Sequence, residues 1–212
     1  MTDARSWAAR CAAHGERHCH IKQPPLLMGH SAGGAFTQVL MDRGLGADGV
    51  GVINSAPVEG VLTVPLSQLR SLFPVLKSPA NRHRAVGLDF DQWHYAFANT
   101  FSEDQTRAAY ERYRIPAPGN IVWNSSLANL HPGHADTHVD FHNADRAPLL
   151  FISGEHDHLM PPKVQQSNAK HDKAEGTTTE VNVFPGRSHL MAVQDGWQEI
   201  ADYALDWALD HS

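Results

Sequence analysis

The feature that most constrains the fold is a change of sequence pattern between residues 26 and 44. A short apolar run at residues 26–28 leads into a glycine-rich segment, residues 29–34 with the sequence GHSAGG, and apolar residues then recur at helical spacing. This pattern predicts a buried strand, a tight turn and a helix that ends at Gly44. Residues 49–54 form a second short apolar run. Strand, helix and strand in this order predict a βαβ unit of a parallel sheet.

The same alternation returns near the end of the chain. Residues 148–153 read as a buried strand, prolines 161 and 162 open a helix, and residues 179–184 alternate as a strand near a sheet edge does. A closing helix begins at about residue 195. Residues 60–146 are proline-rich, lack a clear strand and contain helix-like pieces such as 102–113, which opens with a capping box at Ser102. We therefore expect one α/β domain over residues 1–212, with a mostly parallel sheet, flanking helices and a helical cap insertion at 60–146.

Composition narrows the possible partners and setting. A chain of 212 residues with 42% hydrophobic and 19% charged residues suits a single globular domain. A net charge of −6 with no basic run argues against nucleic acid, and no apolar stretch reaches the roughly 20 residues that cross a bilayer. Cys11 and Cys19 cannot form a disulfide framework, and the first residues lack the apolar core of a signal peptide. We expect a cytoplasmic protein with no membrane or nucleic-acid partner.

The turn at residues 29–34 carries a candidate nucleophile, Ser31. A serine between a strand and a helix projects above the sheet, and the backbone N–H of Ala32 then points to where an oxyanion would form. Such a serine needs a histidine base and a carboxylate at the same sheet edge. Asp157 follows the third predicted strand and His189 follows the fourth. Glu155 is a rival for the acid, and His30 is interpreted as a packing or hydrogen-bonding residue rather than a second base.

Three segments resemble the α/β-hydrolases of the esterase, lipase and haloperoxidase group. They are residues 29–34, residues 154–161 with the sequence GEHDHLMP, and residues 184–189 with the sequence FPGRSH. The resemblance covers about residues 25–210. It implies a triad of Ser31, Asp157 and His189 that cleaves a small ester, thioester or lactone through an acyl-enzyme, without a cofactor. Candidate residues for the apolar lining of the substrate pocket are Trp93, Phe97, Trp123 and Met160.

The chain departs from the family pattern before Ser31. In the family the nucleophile follows the fifth of eight strands, whereas one predicted strand precedes Ser31 in this sequence. We therefore expect four strands and the oxyanion loop to have no counterpart here. The first strand would then leave an open sheet edge, and we expect a homo-oligomer formed through that edge. The missing oxyanion donor predicts weak activity. The alternative is a non-catalytic α/β-hydrolase remnant that serves as a binding or assembly module.

Fifteen histidines raise the question of a metal. Neither of two clusters has a recognised zinc spacing, and we expect solvated side chains and no metal. The clusters are Cys11, His14, His18, Cys19 and His20, and His131, His134, His138 and His142.

Overall fold

A computed structural model describes residues 25–45, 50–127, 136–173 and 175–211. In chain order the strands are β1 (Leu27–His30), β2 (Val50–Ile53), β3 (Ala85–Val86), β4 (Ala117–Pro118), β5 (Leu149–Gly154) and β6 (Thr179–Phe184). The helices are α1 (Ala32–Asp42), α2 (Leu66–Leu76), α3 (Phe90–Phe97), α4 (Glu103–Tyr113), α5 (Gly119–Leu127), α6 (Pro162–His171) and α7 (Trp197–Asp210), and a 3-10 helix covers Pro79–His83.

Four of these strands form the parallel sheet that the sequence predicts. The expectation that the first of them is buried is wrong, because β1 lies at the end of the strand order and Met28 is exposed. Their order is β1-β2-β5-β6, so β1 and β6 are the two edges of the sheet within the described residues. Leu27 lies opposite Val50, Val50 opposite Leu149 and Leu149 opposite Thr179. Because all four strands run the same way, the turns after β1, β2, β5 and β6 meet at one edge of the sheet.

Apolar residues cover both faces of the sheet. Leu150 and Ile152 point to the face on which Ile200, Ala204 and Trp207 of α7 pack. Leu149 and Phe151 point to the other face, where they meet Met41 of α1 and Ala169 of α6. All six residues of β5 are buried, which explains their continuous apolar sequence, whereas β6 is only partly buried and alternates.

Helices α2 to α5 occupy the segment between β2 and β5. The capping box predicted at the start of α4 is present, since Ser102 Oγ accepts the Gln105 N–H at 3.3 Å and Gln105 Oε1 accepts the Ser102 N–H at 3.0 Å. The segment also contains one pair of strands that the sequence pattern does not indicate, since β3 and β4 pair antiparallel with Ala85 opposite Pro118. Each of these strands has two residues, too few to produce an alternating sequence pattern. No helix among the described ranges is long and apolar enough to cross a bilayer.

Candidate active site

Ser31 lies in a strained turn between β1 and α1. Its backbone has φ 57° and ψ −122°, a conformation that residues with a side chain rarely adopt. Two hydrogen bonds attach it to the neighbouring strand: its N–H donates to Ile53 O at 3.0 Å, and its carbonyl oxygen accepts the Ala56 N–H at 2.9 Å. The end of β2 therefore holds the backbone of Ser31 in place.

Close backbone approach at the turn requires glycine at two positions. A Cβ at Gly29 would overlap Gly33 O and Thr37 Oγ1, and a Cβ at Gly34 would lie 2.6 Å from Ser55 Oγ. A Cβ at Gly33 would meet nothing within 4 Å. The close packing of this turn therefore depends on the absence of a side chain at Gly29 and Gly34, and not at Gly33.

Asp157 and His189 form a buried pair at the same edge of the sheet. Asp157 Oδ2 lies 2.7 Å from His189 Nδ1, and both side chains are 0% exposed. Asp157 Oδ1 accepts the N–H groups of Leu159 and Met160 at 2.7 and 2.8 Å. Because a carboxylate only accepts, Nδ1 of His189 carries the proton and Nε2 is left as the basic nitrogen.

Glu155 has different surroundings. Its side chain is 49% exposed, and Oε2 accepts the Gly186 N–H at 3.0 Å. The carboxylate that contacts His189 is therefore that of Asp157, and Glu155 stabilises the turn after β6.

His30 packs directly on His189. The two ring centroids are 4.7 Å apart, and His30 Nε2 donates to His189 O at 2.8 Å. Burial lowers the pKa of His30 to about 4, with a further contribution from the neighbouring His189. His30 is therefore neutral at pH 7 and acts as a hydrogen-bond donor, the role predicted for it.

Sequence reasoning missed Asn54, which follows β2. Its side chain bonds to Gly154 N, Ser188 O and His189 O, so it contacts both the end of β5 and the loop after β6. The sequence signal that could have identified Asn54 is its position. It is a polar residue at the carboxyl end of the predicted strand that neighbours the strand before Ser31.

The basic nitrogen of His189 and the hydroxyl of Ser31 are not hydrogen-bonded to each other. Nε2 is buried and has no hydrogen-bond partner among the described residues. The residue before Ser31 packs on the His189 ring, so the serine lies close by. Ala32 is the first residue of α1, and its N–H has no acceptor within the helix.

The four candidate lining residues have different positions. The Phe97 ring meets the His189 ring edge to face at 5.5 Å, and Trp93 packs behind Phe97 at the same ring distance. Met160 is buried in the core beside Asp157, and its sulfur accepts a hydrogen bond from Gln68 at 3.3 Å. Trp123 lies on α5, which packs against α2 and the 3-10 helix. Phe97 is thus the candidate in contact with His189.

The histidine clusters give no metal site in the part of the chain that the structure describes, where no three His, Cys, Asp or Glu side chains converge. His138 instead lies 3.3 Å from Glu59. The exposed His142 is also described, and its backbone N–H donates to Asp140 Oδ1 at 2.9 Å. The other members of the two predicted clusters lie outside the described residues, namely Cys11, His14, His18, Cys19, His20, His131 and His134.

The first described strand of the parallel sheet ends in a sharp turn at Ser31. The carboxylate of Asp157 and the imidazole of His189 follow β5 and β6. This arrangement is the architecture of an α/β-hydrolase. The chain matches the model of the alpha/beta hydrolase family over residues 1–203. It belongs to this family. No match was found among curated protein sequences.

Solved structures with the same fold include three enzymes of low sequence identity. The monoacylglycerol lipase of Paleococcus ferrophilus is 18% identical, with a TM-score of 0.56 over 99% of this chain and 74% of that protein. A thermophilic esterase from Thermogutta terrifontis is 17% identical, with a TM-score of 0.54 over 99% and 72%. A bromoperoxidase from Bacillus anthracis is 15% identical, with a TM-score of 0.55 over 89% and 68%. These likenesses establish the fold.

Proposed function

We propose that this protein is a serine hydrolase that cleaves a small ester, thioester or lactone, with Ser31, His189 and Asp157 as its triad. The observation that carries the proposal is the buried contact of 2.7 Å between Asp157 Oδ2 and His189 Nδ1, at the sheet edge where Ser31 joins β1 to α1. Membership of the alpha/beta hydrolase family supports a hydrolase activity. The lipase and the esterase with the same fold act on esters by their names, which favours this substrate class.

Each residue has a defined part in the proposed reaction. Ser31 Oγ attacks the substrate carbonyl while His189 Nε2 takes its proton, and Asp157 stabilises the resulting imidazolium. The carbonyl oxygen becomes an oxyanion that accepts the Ala32 N–H. When the bond to the leaving group breaks, His189 returns the proton to it. Water then attacks the acyl-enzyme by the same steps and releases the acid and Ser31.

The proposal requires the Ser31 hydroxyl to turn toward His189 Nε2 when substrate binds. Catalytic hydrogen bonds are often long in a free enzyme and tighten in the substrate complex. His189 Nε2 is buried and has no hydrogen-bond partner within the described part of the chain. This supports the step, because burying a polar atom without a partner is unfavourable and an O–H donor would remove that cost.

The segment between β2 and β5 is proposed to act as a cap over the site. Leu190, next to His189, donates its N–H to Phe97 O at 3.0 Å, and Asn99 Nδ2 donates to His156 O at 2.9 Å in the loop before Asp157. Both contacts attach the end of α3 to the catalytic loops. We expect Phe97 to line the acyl-binding side of the pocket, since its ring lies against His189.

The free edge of β1 supports the proposal of a homo-oligomer. Among the described residues, β1 has a partner strand on one side only. Met28 in β1 and Leu26 just before it are exposed. Unpaired strand edges with apolar side chains favour pairing with a second chain. Light scattering coupled to size exclusion should give a dimer or larger species, and Met28→Lys should shift it to monomer. A wild-type monomer at all concentrations would remove this part of the proposal.

The experiment that tests the activity is labelling with a fluorophosphonate, followed by peptide mass spectrometry. The probe reacts with activated serines and does not require the natural substrate. We expect one labelled residue, Ser31, with the label lost in Ser31→Ala, strongly reduced in His189→Ala and unchanged in Ser125→Ala, a serine exposed on α5. Folded protein that takes up no label would overturn the proposal and leave a non-catalytic binding or assembly module as the function.

A further inference from the structure

Asn54 is a buried polar residue for which the proposed reaction has no use. It follows β2, its side chain is 0% exposed, and its φ is 45°. Asparagine tolerates this left-handed conformation, but glycine tolerates it better and places no amide in the core. The backbone conformation alone therefore does not explain the amide.

The amide joins the two loops that carry the buried pair. Asn54 Oδ1 accepts the N–H of Gly154, the last residue of β5, at 2.8 Å. Nδ2 donates to His189 O at 3.0 Å and to Ser188 O at 3.3 Å. All of the polar atoms of this side chain are thus engaged across three neighbouring strands.

The backbone of His189 is held from two sides. Its carbonyl oxygen accepts Asn54 Nδ2 at 3.0 Å and His30 Nε2 at 2.8 Å. Since Asp157 fixes the orientation of the imidazole, these two donors fix where the ring as a whole lies. A shift of the His189 backbone would move Nε2 relative to Ser31, and misplacement by about 1 Å can lower a rate about a hundredfold.

We propose that Asn54 is a positioning residue that sets the place of His189 Nε2 relative to Ser31 through its Nδ2–H···O bond to the His189 carbonyl. The inference rests on the proposed function, in which Ser31 and His189 react together. Asn54 does not touch the reacting atoms and acts through His189.

Two substitutions distinguish the effect of the Asn54 amide from the effect of its backbone conformation. Asn54→Asp keeps the shape and the acceptor for Gly154, but it replaces the donor by an oxygen that faces two carbonyl groups. Asn54→Gly keeps the left-handed backbone and removes the amide. We expect both to slow fluorophosphonate labelling of Ser31 by roughly ten- to a hundredfold, with kcat for a small ester reduced and KM little changed.

The matched control is Asn81, a residue with the same chemistry away from the site. It is 2% exposed, and its Nδ2 donates to Pro74 O at 3.2 Å and to Val75 O at 2.9 Å. We expect Asn81→Asp to lower the unfolding midpoint without slowing the labelling of the folded protein. Wild-type labelling rates in both Asn54 variants, or an equal slowing in Asn81→Asp, would overturn the positioning role.

A measurement independent of activity distinguishes failure of this inference from failure of the proposed function. The His189 Nδ1 proton shared with the Asp157 carboxylate should give a strongly deshielded proton NMR resonance. We expect this resonance to shift or broaden in Asn54→Asp and to remain unchanged in Asn81→Asp. Wild-type protein that takes up no label, with a resonance that still responds in this way, would contradict the proposed reaction. It would support the inference that Asn54 fixes the position of His189. A resonance that is unchanged in Asn54→Asp would contradict the inference that Asn54 fixes the position of His189.

Discussion

The carboxylate of Asp157 lies 2.7 Å from His189 Nδ1 although 32 residues separate the two along the chain. The pair depends on the parallel pairing of β5 with β6, in which Gly154 lies opposite Phe184. Each residue follows its strand by a short turn, so both side chains arrive at the same depth at the same edge. The orientation of the histidine is thus a consequence of strand register.

Asp157→Asn is expected to abolish most of the activity while leaving the fold intact. An amide in this place can present its NH₂ to His189 and favour the wrong imidazole tautomer, which lowers kcat in comparable triads by about 10⁴-fold. Hydrolysis of a chromogenic short-chain ester provides the measurement. Glu155→Gln is the matched control and should retain activity, because Glu155 contacts Gly186 instead of His189. A greater loss in Glu155→Gln than in Asp157→Asn would reverse the assignment of the acid.

Ser31→Gly should be more stable than Ser31→Ala, although neither can form an acyl-enzyme. Glycine adopts the backbone of Ser31, with φ 57°, without strain, whereas alanine retains the strain. We expect a difference of about 1 kcal/mol in the free energy of unfolding, measured by urea titration. If the alanine variant were the more stable one, the turn would not be strained in solution.

Mild acid should destabilise the protein through His30. Its pKa falls from the ordinary value of 6.5 to about 4 in the folded protein, so between these values the unfolded chain binds a proton that the folded chain does not. This contribution is therefore complete above pH 6.5 and decreases as the pH falls toward 4, by about 3 kcal/mol in total.

The check is urea unfolding at pH 7 and pH 4.5 for wild type and His30→Gln. Glutamine keeps an N–H donor and does not titrate, so the variant should lose about 2 kcal/mol less stability than wild type between the two pH values. His83→Gln, which alters an exposed histidine of the 3-10 helix, should behave as wild type. An acid response of His30→Gln equal to that of wild type would contradict the burial of a neutral His30.

Arg146→Ala should be strongly destabilising. The guanidinium is buried, pairs with Asp172 and donates to Thr179 Oγ1 at 2.5 Å, so it links the segment before β5 to β6. Removing one partner of a buried ion pair costs about 3–5 kcal/mol. Arg146→Met with Asp172→Asn removes both charges and should recover part of the loss in thermal unfolding. Equal melting temperatures for wild type and Arg146→Ala would show that the ion pair contributes nothing.

Several local features of this protein follow from its sequence alone. The continuous apolar run before Asp157 predicts β5, because a parallel strand that is buried on both faces needs apolar residues on both. The alternating run before His189 predicts the partly buried strand β6. The capping box at Ser102 predicts the start of α4, because its bonds join residues three positions apart. The order of serine, aspartate and histidine after successive strands predicts which three side chains share an edge of the sheet. The strand runs and the capping box each lie within a few neighbouring residues.

Other features exist only in the tertiary structure. Asp157 and Glu155 both follow β5. The path of the loop after this strand decides that Asp157 contacts His189 and that Glu155 does not. The bonds from Asn54 to Gly154 and His189 span 100 and 135 residues, and no local pattern encodes them. The pairing of β3 with β4 depends likewise on a contact between distant two-residue segments. Sequence periodicity reports which face of an element is apolar, whereas hydrogen-bond partners and register are decided when separate elements pack together.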